Sequence, residues 1–322
     1  MAAHPGHDHG VAGRALRTAL LLTALILVVE LAAGILAHSL ALLADAGHVF
    51  TDIVALGLAW FASTQAERPA DAGKTYGYHR SGILAALLNA ALLILIVAAV
   101  AYEAIQRLRH PTAVTPWLLL VAAGIGITLN LYIAARLRAE HDGSLNIRAA
   151  LLHVLGDIGA SVGVVIAAAI IALTQWYPID PILSLAIAGL IALGAWTILR
   201  ETVDILMESA PRGLDVTQLV RDMVHSPGVQ DVHDLHVWSI AGGMSALSAH
   251  VQIEDQPLSR CDAVLAGMTE MLRQRYHIGH ATIQLECAGC ETTHLYCNLN
   301  QNGKHRHEAL EEGTTAARRA AP

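Results

Sequence analysis

Six long apolar stretches, separated by short polar segments, occupy the first two thirds of the chain. They cover residues 15–37, 39–64, 81–105, 116–138, 146–174 and 180–200. A helix needs about 20 predominantly apolar residues to cross the hydrocarbon core of a bilayer, and each stretch reaches that length. The pattern therefore predicts a membrane, all-α domain of six transmembrane helices over residues 15–205.

The pattern of the chain changes near residue 209. Between residues 209 and 297 it predicts a helix, two strands, a second helix and a third strand, in that order. The segments are DVTQLVRDMVHS, VQDVHDLHVWSI, MSALSAHVQIE, LSRCDAVLAGMTEMLRQRY and HATIQLE. This αββαβ order predicts a small α+β domain, ferredoxin-like or metallochaperone-like, that we place in the cytosol. The His-containing residues 1–14 and the polar residues 298–322 are expected to be flexible, disordered tails.

The distribution of basic residues predicts the orientation in the membrane. Lys and Arg near helix ends favour the cytoplasmic side. One side of the six-helix arrangement holds only Arg107 and Arg109. The other side holds Arg14, Arg17, Arg68, Lys74, Arg80, Arg136, Arg138, Arg148 and Arg200. We therefore expect both termini in the cytoplasm, and a first apolar stretch that is too long for a cleaved signal peptide.

The amino-acid composition agrees with a membrane protein and indicates which kinds of binding partner to expect. Hydrophobic residues make up 54% of the chain and charged residues 15%, against about 25% charged in a soluble domain. The mild net charge of -7 gives no reason to expect nucleic acid. No phosphate-binding GxxxxGKS or GxxxxGKT segment is present, so no nucleotide is expected either. The chain has 18 His and only 2 Phe, and His is the commonest metal ligand.

Two His–Asp pairs with a four-residue spacing lie inside the second and fifth apolar stretches. His48 and Asp52 form the first pair, and His153 and Asp157 form the second. Residues four apart lie on one face of a helix. Ionisable side chains at membrane depth cost roughly 2.5–3.5 kcal/mol each on insertion scales, so they are rare without a function. Two imidazoles and two carboxylates form a tetrahedral ligand set that suits a divalent ion of the zinc type.

Both pairs lie at a depth where they can meet. With the N-terminus inside, the second stretch runs inward and the fifth runs outward. His48 and Asp52 then lie about nine and thirteen residues from the outer end of their helix, and His153 and Asp157 about seven and eleven residues from the inner end of theirs. At about 1.5 Å per residue, all four fall in the middle of a core of about 30 Å.

Two further polar residues share these helix faces. Asp45 lies one turn from His48, either on the access path of the ion or as a helix-start residue. Asn146 lies seven residues before His153, where it either lines the inner entrance or caps the fifth helix. Glu30 in the first stretch is expected to make a structural hydrogen bond and is left outside the site.

The predicted strands of the C-terminal domain carry more His and Asp residues. His233 and His236 flank Asp234 in the first strand, and His250 lies in the second. Simple alternation along a strand predicts His233 and Leu235 on one face, with Asp234 and His236 on the other.

The four cysteines all lie in the last quarter of the chain, so no disulfide framework is expected. Cys287 and Cys290 have the spacing of metal ligands, with His294 and Cys297 nearby. They form either a soft site for zinc or copper or a pair of cytosolic thiols. The His residues of the N-terminal tail either gather ions loosely for delivery or have no function. These residues are His4, His7 and His9.

Four segments resemble the signatures of the cation diffusion facilitator family, and specifically of its zinc-transporting branch, which includes bacterial zinc, cadmium and cobalt exporters. They are LLADAGHVFTD, TYGYHR, NIRAALLHVLGDIGAS and VHDLHVWSI, in the family's order over residues 15–290. The resemblance implies a homodimer that exports zinc or a related ion from the cytosol in exchange for protons. It assigns the transported ion to His48, Asp52, His153 and Asp157, in what we expect to be a bacterial inner membrane.

The resemblance also implies a regulatory zinc site in the cytosolic domain. His233 and His250 align with two of its ligands, and the third falls at or near Gln284 or Glu286. Relatives have a His at the position of Gln284, which leaves Glu286 as our third ligand.

The loop between the second and third stretches departs from the family pattern. Some relatives build a further metal site here from an Asp and two His. This chain has Asp71, but Lys74 and Tyr78 stand where the two His would align. We therefore expect no intact metal site in the loop, and expect His79 and Arg80 to anchor it at the cytoplasmic surface.

Together these patterns predict a secondary transporter rather than an enzyme, namely a proton-coupled antiporter that exports Zn²⁺. A membrane metalloprotease would need an HExxH-type motif, and the chain has none. A passive metal channel or a membrane metal sensor is the alternative, and neither would depend on protons. The ligand set also accepts Cd²⁺, Co²⁺ and Ni²⁺, so the preferred ion stays open.

Overall fold

The computed structural model describes residues 9–139 and 145–287, which belong to two compact units that meet in sequence at residues 203 and 204. The long helices are α1 (His9–Ala37), α2 (Leu40–Ala66), α3 (Ser81–Arg109), α4 (Pro116–Ala139), α5 (Leu145–Thr174) and α6 (Ile179–Leu206). Each of these six contains a segment that is long and apolar enough to cross a membrane. The protein is therefore a multi-pass membrane protein, and the prediction of six transmembrane helices is confirmed.

The distribution of large and small side chains in these helices is that of a protein in lipid. Bulky apolar side chains point away from the helix bundle, among them Trp60, Leu152, Leu173, Leu190 and Trp196. Small side chains fill the contacts between helices, among them Ala37, Ala41, Ala90, Ala104 and Ala168. Lipid tails are as apolar as leucine, so close van der Waals packing through small residues is what holds such helices together.

Helix α2 takes part in two apolar clusters. In the first, α1, α2, α4 and α5 pack around Leu42, Leu119 and Ile171. In the second, α2, α3 and α6 pack around Leu40 and Ile187. The helix that carries His48 and Asp52 is therefore shared by both groups of helices.

A buried carboxylate from α6 holds the start of α2. The oxygens of Asp180 accept hydrogen bonds from Ser39 Oγ at 2.5 Å, from the Leu40 amide at 2.7 Å and from the Ala41 amide at 3.3 Å. Asp180 has no exposed surface. The first amides of a helix have no partner within the helix and form the positive end of its dipole, so a carboxylate there satisfies both needs. This contact fixes the end of α2 to α6.

We predict that Asp180→Ala strongly destabilises the transmembrane unit. It leaves two amides and a hydroxyl buried without their acceptor, and breaking a buried charged contact typically costs about 3–5 kcal/mol. The thermal unfolding midpoint in detergent should fall, while Glu67→Gln, which removes an exposed carboxylate beyond the other end of α2, should leave it unchanged. An unchanged midpoint in Asp180→Ala would contradict the anchoring role.

The second unit forms a three-stranded sheet with helices. Its elements are α7 (Val216–Val224), β1 (Val229–Ala241), β2 (Met244–Ile253), α8 (Leu258–Tyr276) and β3 (Ile278–Cys287). Strands β1 and β2 are an antiparallel hairpin, β3 pairs parallel to β2, and the sheet order is β1-β2-β3. The αββαβ prediction is confirmed. Side chains from both helices and all three strands build its core, including Leu219, Met223, Leu247, Leu272 and Ile278.

Simple alternation along β1 is wrong. Val232 and Leu235 are both buried in the core although they are three residues apart. The register of β1 against β2 shifts between His233 and His236, and Asp234 adopts a left-handed conformation with φ +49°. A bulge of this kind inserts an extra residue and re-aims the side chains beside it. His233 and Leu235 therefore do not share a face.

A hydrogen bond joins the end of α8 to α7. The Tyr276 hydroxyl donates to Asp222 Oδ2 at 2.5 Å, and Arg275 Nη1 lies 2.8 Å from the same oxygen. The bond from Tyr276 lowers the pKa of Asp222, whereas burial, with the same bond, raises the pKa of Tyr276 to about 12. Both shifts stabilise the pair while the phenol is protonated and the carboxylate is ionised.

We predict that Tyr276→Phe lowers the thermal stability of this unit and flattens its pH dependence. The depressed pKa of Asp222 contributes stability above its ordinary value that is lost as the pH falls through the folded pKa. The raised pKa of Tyr276 contributes stability that is complete below its ordinary value of about 10 and is lost as the pH rises towards 12. Thermal midpoints measured across pH should show both effects shrink in Tyr276→Phe and persist in Tyr102→Phe, which removes an exposed hydroxyl.

Candidate metal sites

Helices α2 and α5 bring the four predicted transport ligands together. His153 Nε2 lies 3.2 Å from Asp52 Oδ2, and His48 Nε2 lies 3.7 Å from the same oxygen. Asp157 approaches both imidazoles, with Oδ1 4.0 Å from His48 Nε2 and Oδ2 3.9 Å from His153 Nε2. The two rings meet edge to face with their centres 5.6 Å apart. Each carboxylate therefore faces both imidazoles, one from its own helix and one from the other.

The spacing of these atoms fits a small tetrahedral ion. Zn–N and Zn–O bonds of about 2.0–2.1 Å place the ligand atoms of a tetrahedron about 3.3–3.4 Å apart. The observed separations of 3.2–4.0 Å are close to that range. One ligand atom each from His48, Asp52 and His153 already lies within 4.8 Å of the other two. A small inward movement of Asp157 would complete a four-ligand shell.

The surroundings of the site are partly open. The exposed side-chain fraction ranges from 18% for Asp157 to 47% for His153, so the ligands border space that an ion can reach. His48 Nδ1, by contrast, is buried and has no hydrogen-bond partner among the described residues. Its ring is therefore held by the carboxylates on one side only.

Two buried acids lie beside the four ligands. Asp45 is only 3% exposed and lies within electrostatic range of Asp52 and Asp157. Glu30, 2% exposed, lies within range of Asp45 and Asp157. Sequence reasoning left Glu30 out of the site, although a lone acid in an apolar span is the signal that points to such a residue.

A glycine makes room for Glu30. A Cβ added at Gly126 of α4 would lie 3.2 Å from Glu30 Oε1 and 3.3 Å from Ser161 Oγ, so any larger residue would crowd both groups. Glu30 Oε2 has no hydrogen-bond partner among the described residues. The structural hydrogen bond expected of Glu30 is therefore not made by Oε2, and it stays a prediction for Oε1.

A cavity of about 420 Å³ lies beside the second half of α2. It extends from Ala55, one turn beyond Asp52, to Ala66 at the end of the helix. The polar side chains in its lining are Ser63, His79 and Asn89. Asn146 lies within α5, but its side chain is outside the described part of the chain, so its role at the entrance stays a prediction.

The loop between α2 and α3 uses Asp71 for its own hydrogen bonds. One carboxylate oxygen accepts from the Gly73 amide at 2.8 Å and the Lys74 amide at 2.9 Å, and the other accepts from the Tyr78 hydroxyl at 2.7 Å. The Tyr78 bond, followed by the two amides, lowers the pKa of Asp71. The Arg68 guanidinium stacks 4.8 Å from the centre of the Tyr78 ring. Both oxygens of the Asp71 carboxylate, which a metal would need as ligands, thus already accept hydrogen bonds, one of them from the Tyr78 hydroxyl.

The sheet of the second unit gathers the predicted regulatory ligands. His250 pairs directly with His233 on β1 and with Gln284 on β3. Glu286 Oε1 lies 2.8 Å from His250 Nδ1, and Oε2 lies 3.3 Å from His233 Nε2. Gln284 Nε2 donates to Glu286 Oε1 at 2.7 Å. Gln284 therefore orients the carboxylate, while three ligand atoms from His233, His250 and Glu286 lie within 4.8 Å of one another.

The cysteine pair is described only in part. Cys287 is a free, exposed thiol at the end of β3. Cys290 lies outside the described residues, as do His4 and His7, so the soft metal site and the ion-gathering tail both stay predictions.

The comparisons with known proteins agree with this architecture. The cation efflux transmembrane domain matches residues 16–207, and the cytoplasmic domain of cation efflux proteins matches residues 211–288. The chain therefore belongs to the cation efflux family, also called the cation diffusion facilitator family, and the resemblance drawn from its motifs is confirmed.

Similar proteins of this family are transporters. The zinc transporter ZitB of Pectobacterium atrosepticum is 40% identical over 95% of both chains. A cadmium, cobalt and zinc/H⁺–K⁺ antiporter of Bacillus subtilis is 38% identical over 87% of this chain and 92% of its own. The solved metal-bound C-terminal domain of the CzcD transporter from Cupriavidus metallidurans is 32% identical, covering 23% of this chain and 99% of that domain with a TM-score of 0.21.

Proposed function

We propose that this protein exports Zn²⁺ or a similar divalent ion from the cytosol in exchange for protons. The observation that carries the proposal is the contact across two helices, in which His153 Nε2 of α5 lies 3.2 Å from Asp52 Oδ2 of α2. Two imidazoles and two carboxylates converge within the membrane span, where such groups are rare unless they serve transport. The names of the similar transporters, which include zinc, cadmium and cobalt, support the same class of substrate.

Proton exchange follows from the chemistry of the ligands. Neutral imidazole and ionised carboxylate bind a metal, and their protonated forms do not. An arriving ion therefore displaces protons from the four side chains, and protons arriving from the other side displace the ion. The imidazole nitrogens that would bind the metal are those that now face Asp52 and Asp157, so the same contacts hold either a proton or the ion. Two further buried acids, Asp45 and Glu30, lie beside these ligands, within electrostatic range of Asp157.

The cavity beside α2 supports an entry path from the cytosol. From the charge asymmetry of the loops we infer that Ala66 and His79 lie at the cytoplasmic end of the helices. We also infer that both termini lie on the cytoplasmic side of a cell membrane, which we take to be a bacterial inner membrane. The cavity runs from that end to within one turn of Asp52. An ion entering there would pass Ser63 and Asn89 and come within one turn of Asp52.

The second unit has a different proposed role. His233, His250 and Glu286 offer a cytosolic site for a metal that is sensed rather than carried, since a site outside the membrane spans cannot lie on the path across them. The match to the cytoplasmic domain of the family supports this placement, and we propose that this domain also joins two copies of the chain as a homodimer.

The transport ligands are tested by zinc flux into proteoliposomes. We expect His48→Ala and Asp157→Asn to reduce flux to the level of protein-free vesicles, because losing one of four ligands leaves the remaining groups too few to replace the water of a divalent ion. The matched controls are His110→Ala and Asp262→Asn, which change the same residue types at exposed positions. Flux like that of the parent in a folded Asp157→Asn would overturn the ligand assignment.

The same vesicles separate an antiporter from a channel or a sensor. Zinc accumulation against its own gradient, driven by an imposed pH gradient and abolished by a protonophore, supports exchange. Flux that follows only the zinc gradient indicates a channel, and binding without flux indicates a sensor. A third arm imposes a potassium gradient, since a similar protein is named for both H⁺ and K⁺.

We predict that His48→Asp shifts selectivity towards Mn²⁺ and Fe²⁺. Imidazole nitrogen favours Zn²⁺, while carboxylate oxygen suits harder cations. The ratio of Mn²⁺ to Zn²⁺ transport, measured by competition, should rise in His48→Asp and stay constant in His110→Asp. If a transporting His48→Asp keeps the parental ratio, selectivity is set outside the four ligands.

A further inference from the structure

Another acidic side chain, Asp234, lies against the cytosolic cluster, on the far side of His250 from Glu286. Asp234 Oδ2 is 3.6 Å from His250 Nε2, whereas the opposite ring nitrogen, Nδ1, faces Glu286 at 2.8 Å. The other oxygen of Asp234 lies 3.2 Å from His236 Nε2. The two nitrogens of His250 are thus divided between the cluster of candidate ligands and a carboxylate behind the ring.

This division matches what a metal-binding histidine requires. A neutral imidazole binds a metal through one nitrogen, and its other nitrogen carries a hydrogen that must be placed. A carboxylate that accepts this hydrogen fixes the tautomer and the orientation of the ring and makes the binding nitrogen more basic. The distance of 3.6 Å is longer than a hydrogen bond, so the contact would tighten as the ring aligns on an ion.

The backbone holds Asp234 where this contact is possible. Asp234 lies at the bulge of β1 with φ +49°, a left-handed conformation that Asp and Asn tolerate and most other residues do not. Regular alternation would direct its side chain away from the ring of His250. The bulge, together with His236 on the second oxygen, directs the carboxylate towards His250 instead.

We propose that Asp234 is a positioning residue for the cytosolic metal site: it accepts the Nε2 hydrogen of His250 and so presents Nδ1 to the ion. His236 supports it by holding the second oxygen of the carboxylate. This inference rests on the proposed regulatory site of His233, His250 and Glu286. It is independent of the proposed transport site.

The test measures zinc affinity in the full-length protein with the transport ligands removed by His48→Ala and Asp157→Asn. Competition with a chelating fluorophore gives the affinity, and Co²⁺ absorption reports the ligand geometry. Asp234→Asn keeps the left-handed backbone and one oxygen acceptor but removes the charge. We expect it to weaken zinc binding roughly tenfold, the lower end of the range for such supporting carboxylates, and to change the Co²⁺ spectrum.

Three controls make the result decisive. Glu254→Gln removes an exposed charge one residue beyond the end of β2 and should leave both affinity and spectrum unchanged. His250→Ala should abolish binding at this site. The unfolding midpoint without metal should be the same in Asp234→Asn as in the parent, and if Asp234→Asn fails to fold, His236→Ala provides the second variant, with a smaller loss of affinity expected.

The outcomes distinguish the inference from the site on which it rests. If His250→Ala abolishes binding while Asp234→Asn and His236→Ala bind zinc like the parent, the site stands and the positioning role is wrong. If His250→Ala still binds zinc at this site, the regulatory site itself is wrong. If Asp234→Asn and Glu254→Gln lose zinc affinity equally, the loss comes from the change in net charge, and the positioning role is also overturned.

Discussion

An ionisable side chain in the hydrocarbon core must find a partner, and this constraint organises the transmembrane unit. His48 and Asp52 on α2 meet His153 and Asp157 on α5, so that each carboxylate faces one imidazole of its own helix and one of the other. Asp180 finds the unpaired amides at the start of α2. In the proposed transporter, a divalent cation between the four side chains would satisfy them all at once.

The position of α2 decides how the site can respond. This helix belongs to two apolar clusters, one with α1, α4 and α5 and one with α3 and α6, and Asp180 fixes one of its ends. His48 and Asp52 lie two to three turns from that anchor. A change in packing between the two groups of helices would therefore move the α2 ligands relative to those of α5, while the anchored end moves with α6. In the proposed antiporter this is how the approach to the ion would change sides.

The sequence predicts features that depend on local periodicity and misses those that depend on contacts between distant segments. Span length and the four-residue spacing were enough to predict six helices and the meeting of His48 with His153. The hydrogen bonds of Asp180 join residues about 140 positions apart, and no local pattern indicates them. The bulge at Asp234 breaks the alternation from which the faces of β1 were predicted, because pairing with β2 overrides the regular pleat. The roles of Asn146 and Cys290 stay predictions.

His48 and His250, one candidate ligand from each metal cluster, differ in what lies behind their rings, and the difference suits the proposed roles of the two sites. His48 Nδ1 in the transmembrane unit is buried and has no hydrogen-bond partner among the described residues, and the same is true of His233 Nδ1 in the second unit. His250 in the second unit has Asp234 behind it and Glu286 in front. A supporting carboxylate strengthens metal binding, and a ligand without one binds more weakly. A carrier must release its ion in every cycle, whereas a sensor must keep the ion at low cytosolic concentrations. In the proposed roles, support of His250 by Asp234 and the lack of such support behind His48 would meet those opposite requirements.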